Sequence, residues 1–490
     1  MTASREPARG GPLDRLLRLF SDVRAGESGT ALLLALNVFI LLTAYSTLKV
    51  LREPLILAVP GGAELKSYSS AGQAVVLVFL VPLYGLIARK VPRRMLINVV
   101  TAFFVACLVA FYLLYRMRVA IGVPFYIWLG VFNLMIIAQF WSFANDLYTT
   151  EEGKRLFPVV ALGGSVGALA GAFVTGVLIK PLGLQPLFLV AAALLAVAVA
   201  ITNAVDARER RRTEAAMPDP LTSGQLPAAT EQIRAATGEF KVPDDVYKTA
   251  SGQLKALTKK DIERLRATPP GPAPSGAGAF GLVLRNRYLL LIALMMMILN
   301  TVNTTGEYVL GRTLARVAQE TAARTGTDAE SVIGLFYAGY QGTVNLLALG
   351  LQLFVVARVI KHLGVRTALL VMPVLAFAGY AMMAFVPILA AMRWTKIAEN
   401  ATDYSLQNTV RQALFLPTTR EEKYAAKQAI DGFFVRMGDV LSALLVLAGT
   451  GVLALGVRHF ALLNLALIVL WISLAVAVGR RYERLAAVTS

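Results

Sequence analysis

The chain has 490 residues, of which 57% are hydrophobic and only 16% charged, well below the roughly 25% usual in soluble domains; the mean hydropathy is +0.62. That composition excludes an ordinary soluble enzyme or binding module. The single cysteine, Cys107, excludes an internal disulfide framework, and the net charge of +18 has to be explained by membrane topology before any nucleic acid is invoked.

The first 28 residues are polar and Arg-rich (Arg5, Arg9, Arg15, Arg18, Arg24). They read as a cytoplasmic N-terminus without a cleavable leader. A membrane helix needs about 20 apolar residues. On that template twelve spans are expected, near 29–51, 67–89, 95–117, 122–148, 155–179, 184–205, 286–311, 331–358, 366–384, 387–410, 429–455 and 459–479. Residues 387–410 are the most polar of these.

With the N-terminus inside, the inside loops hold Arg89, Lys90, Arg93 and Arg94, then Lys154 and Arg155, then Arg208, Arg210, Arg211 and Arg212, then Arg358, Lys361 and Arg366, and finally the tail. The outside loops are short and poorer in cations. Lys and Arg concentrate on the cytoplasmic side of membrane proteins, so both ends are expected in the cytoplasm. This accounts for much of the charge, and no nucleic-acid partner is expected.

Residues 29–205 hold six spans and 285–479 hold six more. Between them, 206–284 opens with "DARERRRTEA" and closes on the Pro/Gly/Ser stretch "ATPPGPAPSGAGAF". Its middle, 244–266, has spacing for one amphipathic helix. Residues 480–490 form a cytoplasmic tail.

A six-plus-six plan suggests duplicated halves. A repeated word supports it: "TTEEGK" at 149–154 and "TTREEK" at 418–423 both fall between the fourth and fifth spans of their halves. Each also matches a capping box, Thr149 with Glu152 and Thr419 with Glu422, in which the pair satisfies backbone amides at a helix start.

No phosphate-loop signature, metal cluster spacing or catalytic constellation is present, so neither an enzyme nor a cofactor is expected. Gly163, Gly167 and Gly171 recur every four residues and read as a helix-packing face. The chemistry lies in ionisable residues within the spans, which are costly in a bilayer unless they face a cavity or a partner. Lys49, Arg52 and Glu53 end the first span, with Lys49 and Glu53 spaced to pair. Asn300, Asn303, Thr304 and Glu307 share one face of the seventh. Tyr337, Gln341 and Asn345 share one face of the eighth. Lys396, Glu399, Asn400, Asp403 and Gln407 share one face of the tenth, followed by Arg411. Asp431, Arg436 and Asp439 read as interhelical pairing. Lys49, Arg52, Glu307 and Lys396 read as the wall of a central, anion-attracting cavity.

Three stretches resemble the bacterial and plastid ATP/ADP translocases: "YSTLKVLREPLILAVPGGAE" (45–64), "FWSFANDLYTTEEGKRLFPVVALGGSVGALAGA" (140–172) and "TDYSLQNTVRQALFLPTTREEKYAAKQAID" (402–431). The resemblance implies an all-α membrane protein of twelve helices in two pseudo-repeated halves, major-facilitator-like. It implies nucleotide exchange, and it places substrate-binding roles on Arg52, Glu307 and Lys427. An acid of that family early in the fourth span has no counterpart near Leu129. Lysines of the family are replaced by Ala425 and Asp439 here, and by Arg411, which keeps the charge.

The expected function is therefore secondary transport of an anionic metabolite, with ATP/ADP exchange as the best match. Lys49, Arg52, Glu307, Lys396, Arg411 and Lys427 are the substrate-binding candidates. Asp146, Glu151, Glu152, Lys154, Glu421, Glu422 and Lys423 are the gating candidates. The expected partners are the anionic substrate and the lipid bilayer of a bacterial inner membrane, with the chain a monomer. A proton-coupled carrier of another organic anion or lipid-like molecule, with Asp146, Asp431 and Asp439 more prominent, and a membrane sensor acting through 206–284 are the alternatives.

Overall fold

In the computed structural model of the chain, residues 28–88, 91–148, 150–216, 279–419 and 422–489 are described. Every regular element among them is helical. In hydrocarbon a helix satisfies its backbone polar groups within one segment. The first half is α1 (Ser28–Leu57), α2 (Gly62–Ala88), α3 (Arg93–Arg116), α4 (Gly122–Leu147), α5 (Thr150–Leu182) and α6 (Pro186–Ala216). A short helix, Ala279–Arg285, leads into α7 (Arg287–Thr325), α8 (Ala329–Phe354) and α9 (Val356–Phe385). Then come α10 (Leu389–Thr402, continued by Asn408–Ala413), α11 (Val435–Gly451) and α12 (Val457–Thr489).

The twelve expected spans thus appear in the expected order. Among the described residues ten helices are long and apolar enough to cross a membrane. α2, a continuous helix of 27 residues, and the interrupted α10 complete the set.

Local signals set several ends. Asn286 caps α7 by accepting from the Tyr288 amide at 2.9 Å. Asp328 caps α8 by accepting from the Ser331 amide at 3.1 Å. The capping box expected at the second repeated word is present. The Glu422 carboxylate accepts from the Thr419 amide at 2.9 Å, and the Glu422 amide donates to the Thr419 hydroxyl at 3.3 Å. Thr149, in the first word, lies outside the described residues. Gly364, at φ +73°, breaks α9 near its start, just before the span expected from 366.

The halves repeat in their packing as well as their order. α1 packs on α5 as α7 packs on α11, and α2 packs on α4 as α8 packs on α10. Across the halves, α2 meets α11 and α5 meets α8, a reciprocal exchange of partners. The glycine face of α5 explains the α1–α5 approach: a Cβ on Gly163, Gly167 or Gly171 would overlap the carbonyl oxygens of Ala35, Phe39 and Thr43. Gly167→Ala is therefore expected to destabilise the protein by about 1–3 kcal/mol, as overpacking does. A melting curve of the detergent-solubilised variant measures this, and an unchanged midpoint would contradict the packing described.

One departure from regular helix concerns the second half. π-helical turns occupy Asp403–Gln407, Glu422–Ala426 and Ile430–Phe434, whereas α4 and α5 carry none. Such turns insert one extra residue and concentrate at functional positions.

The described residues of 28–202 and 279–489 together form one compact unit. The end of α6, from Asn203 on, separates from that unit, and there Arg210 and Asp206 pair at 3.0 Å. The helix expected at 244–266 lies outside the described residues.

Candidate functional site

A cavity of about 300 Å³ lies between the halves, lined from α1, α2, α4, α7, α8, α10 and α11. The helical spacing read from α7 places its side chains as expected: Asn300, Asn303, Thr304 and Glu307 all face it. So do Lys49 and Arg52 of α1.

The charges are organised around a residue the sequence reading passed over. Lys66, near the start of α2, has a side chain only 7% exposed. Its ammonium is 2.7 Å from Glu53 of α1 and 3.5 Å from Glu307 of α7, and it donates to the Tyr337 hydroxyl of α8 at 3.4 Å. Lys66 therefore joins the two halves. Glu53 also pairs with Arg52, whose Nε donates at 2.9 Å and whose guanidinium stands 4.3 Å over the Tyr126 ring. This corrects the expected Lys49–Glu53 pair. Glu53 is taken by Arg52 and Lys66, while Lys49 donates to the Tyr404 hydroxyl of α10 at 3.0 Å.

Glu307 is held from several sides. Its carboxylate accepts from Tyr340 at 3.1 Å and from Asn400 at 3.2 Å. Lys396 lies 3.8 Å away, yet Lys396 is not on the cavity wall: its side chain is 0% exposed, and that of its partner Glu399 is 1% exposed. Lys396 donates to Glu399 at 2.8 Å, and to the side-chain and backbone oxygens of Asn303 at 2.6 and 3.2 Å. It belongs to the packing behind the cavity, where an ammonium in low dielectric needs such a full set of acceptors.

The expected interhelical ion pairing of Asp431, Arg436 and Asp439 is corrected: their ion pairs lie within one segment, three or four residues apart, and Asp439 reaches α7 through hydrogen bonds. Asp439 accepts from Asn300 at 2.9 Å, Thr304 at 2.8 Å and Arg436 at 3.2 Å, and both Arg436 and Asp439 line the cavity. Asp431 pairs with Lys427 at 2.8 Å. Lys427 and Arg411, expected to touch substrate, are not among the lining residues; Arg411 donates to Asn408 at 3.1 Å.

Further bonds join the halves. Tyr308 of α7 donates to Glu64 at 2.9 Å and accepts from Arg312 at 2.8 Å. Tyr115 of α3 donates to Glu330 of α8. Asn345 of α8 donates to the Ala168 carbonyl of α5 at 2.9 Å.

Of the gating candidates, Asp146 is exposed at the end of α4, and Glu152 is half-buried near the start of α5. Glu422 accepts from Thr419 and from Asn286 at 2.6 Å, so these bonds stay within the second half. The half-buried Lys423 follows it in the same π-turn. Glu421 lies outside the described residues, as do the side chains of Glu151 and Lys154.

Comparisons with known proteins agree with this architecture. A search of curated proteins finds no match. Among solved structures, the nucleoside transporter NupG is 12% identical with a TM-score of 0.56, covering 93% of this chain and 98% of that one. An auto-inhibited POT family peptide transporter is 14% identical with a TM-score of 0.57, covering 93% and 97%. A POT family transporter in complex with a thioalcohol-conjugated peptide is 12% identical with a TM-score of 0.58, covering 93% and 96%. At these identities the likeness is one of fold. The family model for the Major Facilitator Superfamily matches residues 30–399. The chain therefore belongs to the major facilitator superfamily and is a secondary transporter.

Proposed function

We propose that the protein carries an anionic metabolite, a nucleotide being the best match, by exchange. One observation carries this reading. Four cations line the cavity, Lys49, Arg52, Lys66 and Arg436, against three acids, Glu53, Glu307 and Asp439. Among the described residues, Arg52, Lys66 and Arg436 each have a carboxylate within ion-pair distance, and Lys49 has a tyrosine hydroxyl instead. A cavity with one uncompensated ammonium between low-dielectric walls attracts an anion. The resemblance to ATP/ADP translocases at 45–64, 140–172 and 402–431 supports a nucleotide as that anion.

In this reading the substrate's anionic group takes Lys49 from Tyr404 and draws on Arg52. Lys66, shared between Glu53 and Glu307, changes its balance as the halves rock. Exchange needs no proton gradient, so insensitivity to ionophores separates it from proton-coupled transport. The Lys/Arg distribution of the loops supports cytoplasmic ends.

The test is uptake of labelled ATP into liposomes that contain the purified protein and are preloaded with ADP. Uptake is expected to depend on internal ADP. Lys49→Gln is expected to lower it at least about tenfold, since charge-assisted hydrogen bonds contribute roughly 1.5–3 kcal/mol, with no loss of thermal stability. Equal uptake into empty liposomes would exclude exchange. Wild-type uptake by Lys49→Gln would remove the anion site.

A further inference from the structure

Six carboxamides line the cavity, and the two halves use them differently. In the second half each is engaged. Asn300 donates to Asp439 and to the Val435 carbonyl, Asn303 accepts from Lys396, Gln341 donates to Asn345, and Asn400 donates to Glu307 and Tyr340. In the first half Gln73 of α2 and Asn133 of α4 also line the cavity. Among the described residues neither has a protein hydrogen-bond partner. Gln73 is 8% exposed, and its Oε1 is buried without a partner.

Its seat is specific. The Gln73 amide lies directly on Gly130 of α4, where any Cβ would overlap its Cδ, Oε1 and Nε2. A buried carboxamide with nothing to bond is costly to a folded protein. Leu in its place would remove that cost at similar volume. Retaining an amide here, with a glycine cleared beneath it, makes physical sense when a ligand supplies the missing partner.

We infer that Gln73, seated on Gly130 and accompanied by Asn133, reads a neutral donor–acceptor edge on the transported anion, of the kind a nucleobase presents. A carboxamide offers an N–H donor and a C=O acceptor side by side. This is the chemistry by which Gln and Asn recognise adenine through two parallel bonds. The first half thus carries the groups a ligand would engage: Lys49, taken from the Tyr404 hydroxyl, for the anionic part, and Gln73 and Asn133 for the neutral part. The inference rests on the nucleotide reading above and names the residues that would distinguish a nucleotide from a bare polyphosphate.

The experiment is a ligand-dependent thermal shift of the purified full-length protein in detergent, with ATP and inorganic tripolyphosphate as the two probes. Wild type is expected to bind ATP at least about tenfold more tightly than tripolyphosphate, the scale of a well-made polar contact in a desolvated site. Gln73→Leu is expected to erase that preference while leaving tripolyphosphate binding in place, and to melt no lower than wild type without ligand. Gly130→Ala, which unseats the amide without removing it, is expected to do the same to the preference. An unchanged ATP-to-tripolyphosphate ratio in Gln73→Leu overturns the inference and leaves the nucleotide reading standing. Equal binding of both probes by wild type overturns it as well, leaving an anion carrier without base recognition. Binding of neither probe removes the nucleotide reading, and the inference falls with it.

Discussion

Lys66→Met is expected to abolish exchange and to lower the melting temperature of the protein. The Lys66 ammonium is buried, 2.7 Å from Glu53 and 3.5 Å from Glu307. Removing one member of a buried ionic group leaves the others uncompensated, at a cost of about 3–5 kcal/mol. Glu53 would keep Arg52 as a neighbour and Glu307 would keep Lys396 at 3.8 Å, but the link between the halves would be gone. Function and stability separate in the double variant Lys66→Met with Glu53→Gln. Neutralising the orphaned acid should recover most of the lost stability, while exchange in preloaded liposomes stays below about one hundredth of wild type. A Lys66→Met protein that exchanges normally would show that Lys66 takes no part in coupling the halves.

Lys396→Met is expected to have the second large effect, through folding. Lys396 and Glu399 are both fully buried, 2.8 Å apart, and Glu399 alone in an apolar bundle would cost a further 3–5 kcal/mol or about that. The single variant should give little folded protein after membrane extraction. Replacing both, Lys396→Met with Glu399→Leu, removes the charges together, which is often neutral to stability. The double variant should fold, and should retain exchange within about tenfold of wild type, because neither side chain reaches the cavity. A folded double variant without exchange would mean that Lys396 acts on the substrate through Glu307 after all.

These two lysines mark the limit of what the sequence discloses. The twelve spans were readable because apolar runs of bilayer length are nearly unambiguous. The cavity face of α7 was readable because Asn300, Asn303, Thr304 and Glu307 repeat at helical spacing. Lys396 belonged to an equally clear polar face, but periodicity shows which residues share a side, not whether that side meets water or another helix. Lys66 was missed for the opposite reason. It stands one residue before the expected second span, where a cation looks like an ordinary border residue. Its neighbours Glu64 and Gly62, in a stretch turning back into the membrane, were the available signal. Lys427 rests on resemblance alone and Arg411 also on its place after the polar face of the tenth span, and the geometry puts both off the cavity wall.

The π-turns of the second half also bear on how the two halves descend from one. The repeated polar words begin 269 residues apart, at Thr149 and Thr418. The glycines that let the following helix press on its partner, Gly167 against the Phe39 carbonyl and Gly438 against that of Met297, are 271 residues apart. Two π-turns, Glu422–Ala426, which begins within the second word, and Ile430–Phe434, precede its glycine. Each absorbs a single extra residue without turning the rest of the helix away from its contact. Two bulges of one residue each match that two-residue difference in number, and Asp439 stands beside Asn300. Setting one residue aside in each bulge restores the match at the glycine.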